Sequence, residues 1–251
     1  MCMFSGPVAE VAGTKIFARA SAQGSQFLVY SMSYAASDEL AMILPLPTPA
    51  YPPEDALRFI DFSAYADFFD ELDDCFAKTR GLPLDTDEPS KSLLAVYSVG
   101  SFDASFVPHR RDFGRLDSRF CLPDSVWDEL PQYADFSFAV FKLKPGAQSV
   151  HPMAFEFPRR HPDQLFFPTV HVHQGIVEAS ADFDHAFYWQ ATFSGGGNFP
   201  GRGGRRADYP LEANVDLSRA QGVVAPDMPL YRAHLHGMHE NRDLMIGEGR
   251  S

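Results

Sequence analysis

Alternation of apolar and polar positions is the commonest pattern along this chain, and it predicts β-strands. In the run from Phe136 to Phe141, for example, Phe136 and Phe138 fall on one face of an extended strand and pack inward together. Similar runs predict strands at residues 14–19, 26–34, 40–44, 93–99, 102–107, 136–143, 153–157, 165–173 and 183–193. With 23 phenylalanines to fill a core, the pattern indicates an α+β fold that is mainly β, with antiparallel or mixed sheets and a few helices.

Two short segments have helical periodicity instead. After Ser63, a suitable N-cap, apolar residues recur at helical spacing and carboxylates fall between them. The apolar positions are Tyr65, Phe68, Phe69, Leu72 and Phe76, and the carboxylates are Asp67, Asp70, Asp73 and Asp74. We expect these carboxylates to form a solvated face. Residues 124–130 predict a second, short acidic helix.

Proline and glycine mark the predicted loops and the predicted domain boundary. The stretch 80–91 is polar and interrupted by proline, which predicts an exposed loop. The glycine-rich stretch 195–206 is the best candidate for a boundary, although it contains no phosphate-binding motif. We therefore expect a β-rich domain over residues 1–194 and a less regular, histidine-containing extension over residues 195–251.

The composition argues against several classes of function. A formal net charge of −12 disfavours nucleic-acid binding, since clustered Lys and Arg are needed to neutralise phosphates. No glycine spacing typical of dinucleotide or nucleotide binding occurs, so no nucleotide cofactor is expected. The N-terminus lacks the pattern of a signal peptide, and no window is long and apolar enough to span a membrane. These features predict a soluble cytoplasmic protein without a membrane partner.

Five of the nine histidines form two clusters, which are the best candidates for chemistry. The clusters are His171-Val172-His173 and the segment His234-Leu235-His236-Gly237-Met238-His239. Alternation on a strand points both histidines of a His-x-His pair to one face. Neutral imidazole is the commonest metal ligand among side chains, so two such pairs on neighbouring strands would offer several nitrogens to Zn²⁺, Fe²⁺ or Cu²⁺.

The leading hypothesis is therefore a histidine-rich metal-binding protein, with a metal-dependent hydrolase or oxygenase of a small molecule as one form of it. His171, His173, His234 and His236 would be the ligands, with His239 as an optional one. Asp184 would act as an outer-shell partner or as the general base for a metal-bound water; Asp182 and His185 are further candidates for this role. The competing interpretation is that these histidines are ordinary strand and surface residues.

A second hypothesis concerns Cys2. The three cysteines (Cys2, Cys75 and Cys121) contain no Cys-x-x-Cys pair, which disfavours a disulfide framework and a thiolate zinc site. Removal of Met1 would leave Cys2 with its own α-amino group as base, as in N-terminal-nucleophile amidohydrolases. The start of the chain is similar to the choloylglycine-hydrolase-like branch, in which an arginine at the place of Arg19 follows a strand and a turn. The aspartate usual after that arginine is absent here.

A third hypothesis is a non-catalytic β-rich binding or scaffold module. Its support is the aromatic content of the chain, including Tyr188 and Trp189, which are suited to line an apolar pocket for a ligand.

Three stretches, in the same order along the chain, resemble an uncharacterised bacterial family designated domain of unknown function 2330. They are residues 2–18 ahead of the 26–34 strand, the segment Ala41-Met42-Ile43-Leu44-Pro45-Leu46-Pro47, and Val99–Asp103 followed by Phe138–Leu143. The resemblance covers roughly residues 2–173. It implies no known activity.

Overall fold

The computed structural model describes residues 3–77, 103–193, 197–200 and 203–247, and it confirms the mainly β α+β fold. Within these ranges the strands form one large mixed sheet, one small antiparallel sheet and a separate strand pair. The small sheet has the order β1 (Met3–Phe4), β4 (Leu40–Leu46), β7 (Ser137–Leu143), β6 (Ala104–Val107). The large sheet has the order β12 (Arg205–Arg206), β13 (Leu230–Glu240), β11 (Ser180–Gln190), β2 (Glu10–Ala20), β3 (Ser25–Ala36), β9 (Met153–Pro158), β5 (Arg58–Ile60), with β8 (Gly146–Ser149) also pairing with β3. The separate pair is β10 (Gln164–Phe167) with β14 (Leu244–Gly247).

The two sheets pack face to face, and helices cover their outer faces. In β3, Leu28 and Tyr30 point into the core between the sheets, whereas Val29 points to helix α1 (Phe68–Asp74). Helix α2 (Asp124–Asp128) lies on the outer face of the small sheet. Strand β4 is buried along its whole length because it is covered on both sides, which explains its continuous apolar sequence.

The structure differs from the predicted elements at several places, of which two bear on the candidate site. Helix α1 begins at Phe68 with Asp67 at its N-cap, and Ser63 lies in a turn before it. The strand expected at 165–173 ends at Phe167, after which residues 169–173 run beside β1. The loop expected at 80–91 and the strand expected at 93–99 lie outside the described residues. No helix in the described part of the chain is long and apolar enough to cross a membrane.

The described strands after residue 203 pair with strands from the earlier part of the chain. Strand β13 pairs with β11 from one end to the other, and β14 pairs with β10. Leu244 and Ile246 lie in the core between the sheets. The boundary expected at 194/195 therefore does not separate two structural units here; instead, β13 inserts into the large sheet beside β11.

Candidate functional site

The first histidine pair lies in the interior, where the chain passes beside the N-terminal strand. Met3 forms a parallel bridge with Val172, and the Phe4 N–H donates to the Val172 carbonyl at 3.2 Å. The ring of His173 lies 5.9 Å from the ring of Phe4. We call β1 together with residues 169–173 the N-terminal junction.

Three imidazoles stack at this junction. The ring of His171, which is 5% exposed, lies 5.9 Å from that of His173 and 5.5 Å from that of His185. Phe183 packs against His171 at 4.5 Å. Burial lowers the pKa of His171 to about 2 and also lowers the pKa of His173. Both side chains are therefore neutral in the folded protein at pH 7.

The Asn241 side chain holds the backbone of this segment in place. Its Oδ1 accepts from the His171 N–H at 2.7 Å, and its Nδ2 donates to the His171 carbonyl at 2.9 Å. The same amide donates to the Glu178 carbonyl at 2.8 Å. Because residues 169–171 have left the strand ladder, these bonds satisfy backbone groups that would otherwise be unpaired.

The buried carboxylate of Asp243 likewise holds the backbone just before His171, at Thr169 and Val170. Asp243 accepts from the N–H groups of Thr169 and Val170 at 2.8 and 3.1 Å, and from the Tyr133 hydroxyl at 2.6 Å. Burial raises the pKa of Asp243 to about 6, even though these three bonds favour its charged form. Burial likewise raises the pKa of Tyr133 well above its usual value.

The second histidine pair lies on the opposite face of the large sheet. His234 and His236 stack with their rings 5.6 Å apart, which confirms that alternation places both on one face. In the register of β11 with β13, His236 is opposite Asp184, with His236 Nδ1 3.3 Å from Asp184 Oδ1. The other oxygen of Asp184 accepts from the Gly13 N–H at 3.0 Å. His185, the next residue in β11, points to the buried face instead.

His239 does not complete either pair. Its ring contacts Phe183 edge-on at 5.8 Å, on the buried side of the sheet, and its Nε2 lies 2.9 Å from the His236 carbonyl oxygen. The sheet thus separates the two His-x-His pairs. Among the described residues there is no group of three or more His, Cys, Asp or Glu side chains placed to hold a metal ion. The metal centre expected from both pairs is not formed there.

Arg19 has a structural role in the described residues. Its Nε donates to the Val223 carbonyl at 2.7 Å, Nη2 donates to the Gly222 carbonyl, and its guanidinium stacks on Phe27 at 4.7 Å. Arg19 lies opposite Gln190, five residues along β11 from His185 and so about 17 Å from the junction. Cys2, its expected catalytic partner, lies outside the described residues.

The carboxylates at helix α1 lie on an exposed face, as the sequence predicts, with Asp73 partly buried, and several of them make specific polar contacts. Asp73 accepts from the buried Tyr188 hydroxyl at 2.8 Å and pairs with Arg232. Asp70 pairs with Lys15 at 3.1 Å, and Asp67 pairs with Arg219 at 3.3 Å. Glu71 accepts from the Tyr65 hydroxyl and, at 2.8 Å, from the Asp216 N–H. The helix is therefore tied to the sheet and to the segment around residue 216 by polar contacts, in addition to its apolar face.

These contacts define the class of structure: two packed β-sheets with an aromatic core and a short helix fixed on the outer face of the larger sheet. The sequence matches no model of a known protein family. Among solved structures, the chain is similar to the crystal structure of baculovirus P35, with a TM-score of 0.52 and 12% identity over 99% of this chain and 100% of that one. This likeness shows a shared fold.

Two further structures of the same viral protein are similar to a lesser degree. The caspase-8/P35 complex gives a TM-score of 0.47 and 11% identity over 94% of this chain and 96% of that chain. A mutated baculovirus P35 after caspase cleavage gives 0.47 and 14% over 95% and 98%.

Proposed function

We propose that this protein is a non-catalytic β-rich module that binds a protease of the caspase class and is cut by it. The observation that carries the proposal is the fold shared with P35 over essentially the whole length of both chains. P35 is known in complex with caspase-8 and in a caspase-cleaved form. This function is a specific form of the binding-module hypothesis.

The sequence supplies the residue type that such a protease requires. Caspases cleave after aspartate through a cysteine nucleophile. The stretch 80–91, for which the sequence predicts an exposed loop, contains Asp85 and Asp87. Exposed loops of small and polar residues are the preferred sites of proteolytic cutting. These two aspartates, which lie outside the described residues, are our candidates for the scissile position.

The described residues hold the chain firmly just before this stretch. Helix α1 is fixed by the bonds of Asp73 to Tyr188 and Arg232. Directly after it, the Ala77 N–H donates to Asp208 at 2.8 Å. A chain that is fixed at this point loses less conformational entropy when the residues after it bind a partner, which favours tight binding. This support for the proposal is independent of the comparison with P35.

The proposal is tested by incubating the purified chain with stoichiometric caspase-8 and following both proteins. We expect the activity of the protease on a peptide substrate to fall, and intact mass spectrometry to detect two fragments cut after Asp85 or Asp87. The double variant Asp85→Ala/Asp87→Ala should lose both effects. Asp227→Ala, which removes an exposed carboxylate elsewhere, is the matched control and should retain them. Unchanged protease activity and an uncut chain, with caspase-8 and with other caspases, would contradict the proposal.

A further inference from the structure

Stacked imidazoles are unusual in a protein interior. Each is neutral while buried, but it becomes a cation at mildly acidic pH once it is exposed to water. His171 and His173 stack on each other and lie against aromatic rings, Phe183 and Phe4 respectively. The Nε2 of His173 is buried and has no hydrogen-bond partner among the described residues. Protonation would therefore place a cation in a largely aromatic environment, which is costly.

Few charged groups around this pair can compensate for a proton. Among the described residues, the Glu178 carboxylate raises the pKa of His173. From β11 and β13, the groups on the same side of the sheet are the imidazoles of His185 and His239. Asp243 lies under the backbone of Thr169 and Val170, where it already accepts hydrogen bonds.

On the side of residues 169–173, strand β1 is held by one bridge to Val172 and one hydrogen bond to its carbonyl. Strand β1 has two residues, which pair with β4 on one side and contact Val172 on the other. The side chains of Met3 and Phe4 are fully buried there. If residues 169–173 move away, β1 loses the neighbour that covers it on that side.

We propose that the N-terminal junction is an acid-operated latch: protonation of His171 and His173 opens it and releases strand β1 while the large sheet stays folded. The released strand exposes Met3 and Phe4, so mildly acidic conditions would make an apolar N-terminal segment accessible to a partner or to solvent. This inference concerns a part of the molecule other than α1, and it does not depend on the proposed protease binding.

The direction of the pH effect follows from linkage. Both histidines have a lower pKa in the closed junction than in water, so the closed form is fully favoured above pH 6.5 and loses stability as the pH falls. With an open-state pKa of about 6.5, an imidazole that stays neutral in the closed junction, as His171 does, raises the opening constant about fivefold between pH 6.5 and 5.5. His173, whose pKa is also lowered, adds a further increase of up to about fivefold.

Asp243 works in the opposite direction. Its pKa in the closed junction is about 6, so it takes up a proton as the pH falls and thereby favours the closed form. Over the same pH interval this reduces opening by about threefold. The two histidines and Asp243 together give a net increase of up to about tenfold in the opening constant.

Hydrogen–deuterium exchange measured by mass spectrometry at pH 6.5 and 5.5, corrected for intrinsic exchange rates, tests the latch on the whole chain. We expect the amides of residues 3–4 and 169–171 to exchange faster at the lower pH, by up to about tenfold, with no change in β3. The variant His171→Gln/His173→Gln should lose this acceleration, because the two buried imidazoles that favour opening at low pH are gone. Asp243→Asn should increase the acceleration about threefold over wild type, because the opposing protonation of Asp243 is removed.

His161→Gln removes an exposed histidine and is the matched control, which should keep the wild-type acceleration. Equal exchange of wild-type junction amides at the two pH values would overturn the latch. So would an equal acceleration in β3, which would mean global unfolding, or the same acceleration in the double glutamine variant. If that variant does not fold, the comparison of wild type with Asp243→Asn still decides, because the latch requires the larger acceleration in Asp243→Asn.

Discussion

Asp73 should be the carboxylate of helix α1 that matters most for stability. Its substitution by alanine removes the acceptor of the Tyr188 hydroxyl, at 2.8 Å, and the partner of Arg232. Tyr188 is 0% exposed, so its hydroxyl is left without this bond inside an aromatic cluster. An unsatisfied buried hydroxyl costs about 1–3 kcal/mol. Because Asp73 is 36% exposed, its ion pair adds only about 0–1 kcal/mol.

We therefore expect Asp73→Ala to lower the free energy of unfolding by about 2–3 kcal/mol. Tyr188→Phe removes the buried hydroxyl itself and should cost about 1 kcal/mol. The double variant should cost less than the sum of the two, by about 1 kcal/mol or more, because without the hydroxyl Asp73→Ala leaves no unsatisfied donor there.

Urea unfolding gives these values directly, provided that the slope m is the same in all variants. Asp74→Ala is the control, because this neighbouring carboxylate is exposed and has no ion-pair partner in the described part of the chain. It should change stability by no more than about 0.5 kcal/mol. The reasoning is refuted if Asp73→Ala is as mild as Asp74→Ala, or if the double-variant cycle shows simple additivity.

Three further substitutions have definite expected outcomes. In Gly204→Ala the new Cβ would lie 2.3 Å from the buried Trp189 ring, so urea unfolding should show a loss of about 1–3 kcal/mol. Gly114→Ala, with open space around it, should show none, and equal effects would refute the argument. Asn241→Ala removes three hydrogen bonds at the junction and should cost about 2–4 kcal/mol in the same assay; a cost below about 1 kcal/mol would mean that water replaces them. The unfolding free energy of the wild type, measured relative to that of His171→Gln, should fall by about 1.4 kcal/mol per pH unit below pH 6. Parallel pH profiles of unfolding free energy for the two proteins would contradict burial of a neutral imidazole.

The strands were predictable because alternation is a local property of the sequence. Residues 27–30 and 40–44 run apolar because both of their faces are covered, whereas residues 31–34 alternate between buried and partly exposed positions; both segments are strands. The shared face of His234 and His236 follows from the same rule. The end of the predicted 165–173 strand was wrong because side chains of Asn241 and Asp243, far away in sequence, replace the ladder bonds after Phe167.

The candidate site depends on contacts between residues that are distant in sequence. Asp73 and Arg232 are separated by 159 positions, and no local pattern indicates that an acidic helix face will meet this arginine. Likewise, the order of strands decides that His171 meets His185 and lies across the sheet from His234. A sequence that shows two histidine clusters cannot distinguish one shared site from two sites on opposite faces, because both have the same periodicity.

The most direct test of the proposed binding is whether this chain co-elutes with a caspase on a sizing column, with the mass measured by light scattering. The purified chain would be mixed with caspase-8, with baculovirus P35 as the positive control under the same conditions. Our account predicts a complex whose mass is the sum of the protease and this 27.9 kDa chain, cut or uncut. Separate elution of the two proteins, while P35 forms its complex, would contradict it.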